Sequence, residues 1–222
     1  MVKEGSDVAI IDYGINNLYS VELACKKAGL SCIITSDKNQ ILKSKSAILP
    51  GVGAFSVAMN NLRKNSLDRI IYRFIETGKP FLGICLGMQL LMEKSLEFGE
   101  SKGLSIVEGE VINLSPHSYK NDFYSVPQIG WNKLLKKEVS WKTSLLDSNK
   151  DEDFMYFVHS FYAKPKNDKD ILFNWIDEFN QRKKVEIKIE EESLALQEKS
   201  LPEHLHIRHY DDGKLLIFNL FQ

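Results

Sequence analysis

Through the first ~95 residues, short apolar runs alternate with amphipathic stretches. Val8-Ala-Ile-Ile-Asp-Tyr13 is an apolar run that ends at Gly14 and predicts a strand. Asn16 and Asn17 can cap a helix from Leu18 to Lys27, stopped by Gly29. Cys32 to Thr35 predicts a second strand followed by a polar turn. Ala47 to Leu49 predicts a third, broken by Pro50-Gly51-Val52-Gly53. Ala58 to Lys64 and Leu67 to Thr77 carry helical spacing, closed by Gly78. Pro80 to Ile84 is a fourth strand, and Leu86 to Lys94 is helical again.

Four nearly continuous apolar strands separated by helices imply an α/β fold, with an open, mostly parallel sheet buried on both faces. Ligands of such sheets gather at the carboxyl ends of the strands, where the Pro50–Gly53 turn and Gly83-Ile84-Cys85 both fall. Beyond residue ~100 the chain becomes strand-rich. Leu104 to Val111 and Tyr156 to Ala163 read as strands, and Lys164 to Asp170 as a polar surface loop. Asp177 to Glu192 is highly charged, with Val185, Ile187 and Ile189 alternating as in a solvated edge strand. Gly213 to Phe221 is apolar and fits a last strand or a packing helix. No repeat or linker divides the chain, so one domain over residues 1–222 is expected.

Composition narrows the classes of function. The 222 residues are 43% hydrophobic and 27% charged, with a formal net charge of −1, as in a soluble globular protein. No basic excess points to nucleic acid or to an anionic membrane surface. Met1 to Asp7 leads into no signal-peptide core, and no apolar run nears the ~18 residues of a membrane span. The cysteines, Cys25, Cys32 and Cys85, are odd in number and lack zinc-ligand spacing, so a reducing cytoplasm is the expected setting and no metal is expected.

The candidate chemistry lies in Lys79-Pro-Phe-Leu-Gly-Ile-Cys-Leu-Gly-Met-Gln-Leu-Leu91: strand, Gly-x-Cys-x-Gly, helix. A nucleophile on a sharp strand-to-helix turn has a strained backbone. Gly83 and Gly87 remove the side chains that would collide across that turn. A thiol near a helix N-terminus is expected to gain thiolate character. A lone cysteine more often fills space in a core, which is the reading for Cys25 and Cys32. The two glycines, the strand before Cys85 and the helix after it reverse that reading for Cys85.

Gly83-Ile-Cys-Leu-Gly-Met-Gln-Leu-Leu91 resembles the elbow of the class I (triad) glutamine amidotransferases. Asp12-Tyr-Gly-Ile-Asn-Asn-Leu18, Leu49-Pro-Gly-Val-Gly-Ala-Phe55, Pro127-Gln-Ile-Gly-Trp-Asn132 and Tyr156-Phe-Val-His-Ser-Phe-Tyr162 resemble the branch formed by glutaminase subunits of imidazole glycerol phosphate synthase. The resemblance spans roughly residues 7 to 165. It implies a flavodoxin-like sheet, Cys85 as nucleophile and no cofactor. It also implies an oxyanion hole from Gly51, Val52 and Gly53 with the Leu86 amide, Gln89 on the glutamine substrate, and Ser160 on its amino-acid head. The implied partner is a (βα)8-barrel cyclase that takes the ammonia in histidine biosynthesis. The 127–132 loop and the 12–17 segment would face it. Without the resemblance, Gln89 reads as a solvent-facing helix residue, and Asn16 and Asn17 as a helix cap.

The tail departs from that pattern. The family's Gln-Phe-His-Pro-Glu-Lys-Ser stretch, which carries the base and the acid that orients it, is missing. Its nearest echo is Leu196-Gln-Glu-Lys-Ser200, and the expected histidine position holds Leu205, flanked by His204 and His206, with His209 beyond. Residues 170–210 are atypical throughout. Three alternatives follow: a rearranged tail that brings His204 or His206 to Cys85, an impaired amidotransferase that still docks its partner, and a defect in the tail's sequence. Ammonia supply to another pathway, such as amidation of a surface sugar, stands beside histidine biosynthesis.

Overall fold

The computed structural model describes residues 6–15, 17–114, 126–136, 140–142, 144, 146–167, 170–171, 173–174 and 215–218. Its main sheet comprises β1 (Val8–Ile11), β2 (Cys32–Thr35), β3 (Ser46–Leu49), β4 (Phe81–Ile84) and a distant strand, Leu215–Phe218. All pairings are parallel, in the spatial order β2, β1, β3, β4, Leu215–Phe218. The strand order reverses between β1 and β3, which is the flavodoxin-like arrangement with its ligand crevice at the switch point.

Alternation along β1 divides the core. Ala9 and Ile11 face one layer and pack, with Ala47 and Leu49, against α2 (Lys38–Lys43), α3 (Phe55–Lys64) and α4 (Leu67–Glu76). Val8 and Ile10 face the other layer, with Ile48, Ile84 and Cys25 of α1 (Leu18–Lys27). α4 buries Leu67, Ile70, Ile71 and Phe74, a stripe at helical spacing.

Three expectations need correction. The polar turn after β2 contains α2, because Asp37 caps it: its Oδ1 accepts from the Gln40 N–H at 2.8 Å. The helix after Cys85 is a single turn, α5 (Leu86–Gln89), rather than a run to Lys94. The Leu90, Leu91 and Met92 carbonyls accept from Leu104, Ile106 and Ser105 instead of from helical amides, and β5 (Met92–Ser95) follows. Tyr156 to Ala163 is two strands, not one, as described next.

The strand-rich half builds a second layer. β5 lies between β6 (Ser101–Lys102) and β7 (Val107–Asn113). β8 (Gln128–Lys133) and the short β9 (Leu135–Lys136) come next. β10 (Phe154–His159) pairs antiparallel with β8, and β11 (Phe161–Pro165) with β7. The chain changes partner at Ser160, so the break has a physical cause. β12 (Phe173–Asn174) pairs with β9. The Leu215–Phe218 segment is β13, a strand as one of the two expected readings had it. The charged 177–192 segment lies outside the described residues. No described helix is long and apolar enough to cross a membrane.

An ion pair ties β1 to its neighbours. Lys45 Nζ meets Asp7 Oδ1 at 2.8 Å, and the Ser31 hydroxyl donates to Asp7 Oδ2. Hydrogen bonds from Lys45 and Ser31 hold the Asp7 carboxyl well below the usual carboxylate range. A depressed folded-state value adds stability above the unfolded value and loses it as pH falls through the folded one. Asp7→Asn is therefore expected to melt below the wild type at pH 7, with the gap closing as pH drops below about 4. Thermal melts across that range check this; a constant gap rejects it.

Candidate active site

Cys85 sits between β4 and α5 with φ 53° and ψ −117°, a conformation that costs a non-glycine residue about 1–3 kcal/mol. The glycines around it have definite work. A Cβ on Gly83 would come 2.7 Å from Met88 Cα, and one on Gly87 would come 1.8 Å from the Leu49 carbonyl oxygen. The end of β3 therefore lies directly against the elbow. A Cβ on Gly51 would meet Gly87 N at 2.5 Å and Leu86 Cβ at 2.8 Å, so the turn after β3 rests on the first turn of α5. Gly53 has φ +98°, which only glycine adopts easily.

Cys85 is half-buried and packs against the core cluster that contains Val8, Ile10, Ile48 and Ile84. Burial pushes its thiol up from the ordinary value, opposed by the Leu86 N–H, which donates to the sulfur. α5 has a single turn, and burial of the sulfur opposes the thiolate gain expected from a helix N-terminus. Attack by this sulfur calls for a base to take its proton.

Gln89 points from α5 toward the second layer, where its Nε2 donates to the Phe161 carbonyl at 3.0 Å. His159 Nδ1 is 2.9 Å from the same oxygen. A carbonyl can only accept, so Nδ1 carries the proton. Burial pushes the His159 imidazole downward, toward the neutral form. Ser160 lies at the bend between β10 and β11, its carbonyl accepting from the Leu114 N–H at 2.8 Å. Gln89 thereby brings the Ser160 segment within one residue of α5.

Against this geometry, the family model described as "Glutamine amidotransferase class-I" matches residues 9–217. The chain belongs to the class I glutamine amidotransferases. Three similar relatives are each named imidazole glycerol phosphate synthase subunit HisH. That of Caldanaerobacter subterraneus subsp. tengcongensis is 48% identical, over 75% of this chain and 77% of its own. That of Aquifex aeolicus is 46% identical over 73% and 75%. That of Bacillus velezensis is 42% identical over 74% and 76%. A crystal structure of a glutamine amidotransferase superimposes with a TM-score of 0.58 at 16% identity, covering 77% of this chain and 81% of that one. The PurLQS structure from Thermotoga maritima gives 0.54 at 16% identity over 76% and 74%. At that identity both speak for the fold alone.

Within this amidotransferase, Gly51 rests on Leu86 and Gly87 beside Cys85 at the carboxyl ends of β3 and β4, and Val52 and Gly53 continue the same turn. Gln89 joins them to the Ser160 bend. His204, His206 and His209 lie outside the described residues, as does Asn16. β13 occupies the sheet position beside β4, with Phe218 level with Ile84. Its four residues, Leu215–Phe218, include no ionisable group.

Two site residues escape a reading of the sequence. Glu97 Oε2 accepts from the Phe55 N–H at 2.6 Å, capping α3 just past the Gly51–Gly53 turn. Tyr13, fully buried, donates its hydroxyl hydrogen to the Pro50 carbonyl at 2.7 Å. Glu97 lies 42 residues from the amide it caps, so no local pattern marks it. Tyr13 reads as the last residue of an apolar run and as part of the 12–17 segment expected to face the partner, but its burial takes it off any such face. Among the described residues, no group of His, Cys, Asp and Glu side chains could hold a metal ion.

Proposed function

We propose that this chain is the glutaminase subunit of an imidazole glycerol phosphate synthase. The observation that carries the reading is Cys85 at φ 53° on a strand-to-helix elbow, with Gly51 of the turn after β3 packed against Leu86 and Gly87. The relatives' shared name supports that assembly.

The Cys85 sulfur attacks the carboxamide carbon of glutamine and its proton passes to a base. The oxyanion that develops is met by backbone N–H groups of Gly51, Val52 and Gly53 and by Leu86. Collapse of the tetrahedral intermediate expels ammonia, which takes the proton, and leaves a γ-glutamyl thioester. Water then attacks the thioester and releases glutamate and the free thiol. Gln89 and Ser160 bind the substrate. The candidates in the sequence for that base are His204 and His206. Ammonia passes to a (βα)8 cyclase, which forms imidazole glycerol phosphate and an aminoimidazole carboxamide ribotide. β8 and β10 supply a docking face, with Ile129 59%, Trp131 36% and Phe154 50% exposed and the Trp131 ring edge-on to Tyr156. We place the work in the cytoplasm, in one domain over 1–222, without cofactor.

A second reading has its own observation, the missing His-Pro-Glu stretch: a partner subunit that docks the cyclase without hydrolysing glutamine. Glutamate release by the purified chain, alone and with the cyclase, separates the two. Release that rises with the cyclase supports the glutaminase, whereas binding without release supports the second reading. Neither binding nor release sinks both.

A further inference from the structure

The turn that faces Cys85 has little of its own to hold it. Gly51 and Gly53 have no side chains, and a Cβ on Gly53 would have nothing within 4 Å. Beyond the contact of Gly51 with α5, restraint comes from its two ends. Glu97 holds the amide of Phe55 on the far side, and Tyr13 holds the Pro50 carbonyl on the near side. Pro50 C=O and Gly51 N–H belong to one planar peptide and point in opposite directions, so fixing the carbonyl fixes the direction of the amide. The phenol comes from the end of β1, across the switch point from β3, and is 1% exposed.

We propose that Tyr13 is a positioning residue for the oxyanion turn: its buried hydroxyl locks the Pro50–Gly51 peptide beside Cys85. The assignment rests on the glutaminase reading for its catalytic consequence, and on geometry alone for the lock. The ring fills the core as phenylalanine would, so the hydroxyl is the distinguishing atom. Burial, with the neighbouring Cys85 adding to it, pushes the phenol upward, so it remains a donor throughout the neutral range. The lock acts before substrate arrives, which suits donors that must be aimed in advance at a charge not yet formed.

Tyr13→Phe in the full chain is the test, with two readouts. In amide hydrogen exchange, protection in the peptide spanning Gly51–Ala54 is expected to fall at least fivefold, while α3 and β3 keep theirs. For glutamine hydrolysis with the cyclase bound, kcat is expected to drop roughly tenfold with KM within twofold. Iodoacetamide labelling of Cys85, which needs no oxyanion donor, is expected to keep its rate within twofold. Unchanged exchange at Gly51–Ala54 overturns the lock, whatever the turnover. Faster exchange with unchanged kcat, or kcat and labelling falling together, overturns the catalytic role. A wild-type chain that releases no glutamate defeats the glutaminase reading, and the catalytic role with it; faster exchange in the variant still supports the lock.

Discussion

Replacing Cys85 with alanine is expected to abolish glutamine hydrolysis, by roughly 10⁴-fold or more, while the chain still folds and binds the cyclase. The reason is covalent: the mechanism splits amide hydrolysis at a thioester, and no other thiol is placed to form one. Cys25 is fully buried in the layer under α1, and burial pushes its thiol up to about 12. Cys32 opens β2, level with Val8 of β1, and so lies at the amino end of the sheet, away from the site. Its thiol is also raised by burial. Cys85→Ala keeps a side chain that the elbow tolerates and removes only the sulfur. Two measurements check the outcome: glutamate release, and labelling of the Cys85 peptide by the glutamine analogue 6-diazo-5-oxo-L-norleucine. Residual turnover above one per cent of wild type would assign the nucleophile elsewhere. Labelling of wild-type Cys85 without turnover, followed by loss of labelling in the variant, describes an elbow whose base is missing.

The first half of the fold was legible because its elements carry their own signals. β1, β2, β3 and β4 are apolar runs ended by turn residues, and their buried alternation, Val8 and Ile10 against Ala9 and Ile11, is a property of neighbouring positions. The elbow was legible for the same reason: glycines two residues to either side of Cys85 are a local demand of a local turn. What escaped is what depends on distant chain. Leu86 to Lys94 has helical spacing, but the carbonyls of Leu90, Leu91 and Met92 are claimed by residues 104–106, and tertiary pairing overrides the local pattern. α2 escaped because only Ile41 in it is buried, and its signature is the Asp37 cap rather than an apolar stripe. Ser160 breaks a run that reads as continuous, because the strands on either side of it pair with different partners. Tyr13 and Glu97 act on backbone atoms 37 and 42 residues away, and no spacing rule reaches that far.

Among the described glycines, Gly87 leaves the least room for a Cβ, and the expected sign of Gly87→Ala opposes local propensity. Gly87 lies within α5, where alanine is ordinarily favoured by about 1 kcal/mol. Here a Cβ would come 1.8 Å from the Leu49 carbonyl oxygen and 2.7 Å from its carbon. Both are backbone atoms of a fully buried residue on β3, a strand held by β1 on one side and β4 on the other. No side chain can rotate away to relieve the contact. Relief requires either that α5 lift, carrying Cys85 and the Leu86 amide with it, or that the end of β3 tilt, carrying Pro50 and the oxyanion turn. We expect a loss of about 3 kcal/mol or more, which for a chain of this size lowers the melting midpoint by roughly 6–12 °C, together with loss of turnover. Gly53→Ala is the contrast. Its Cβ has open space, and the cost is the left-handed backbone alone, about 1–2 kcal/mol. Thermal melts of the two variants therefore distinguish steric closure from backbone strain. Equal shifts, or a Gly87→Ala variant that melts with the wild type, would mean that β3 and the elbow do not touch as described, and the oxyanion turn would lose the support on which the proposed chemistry depends.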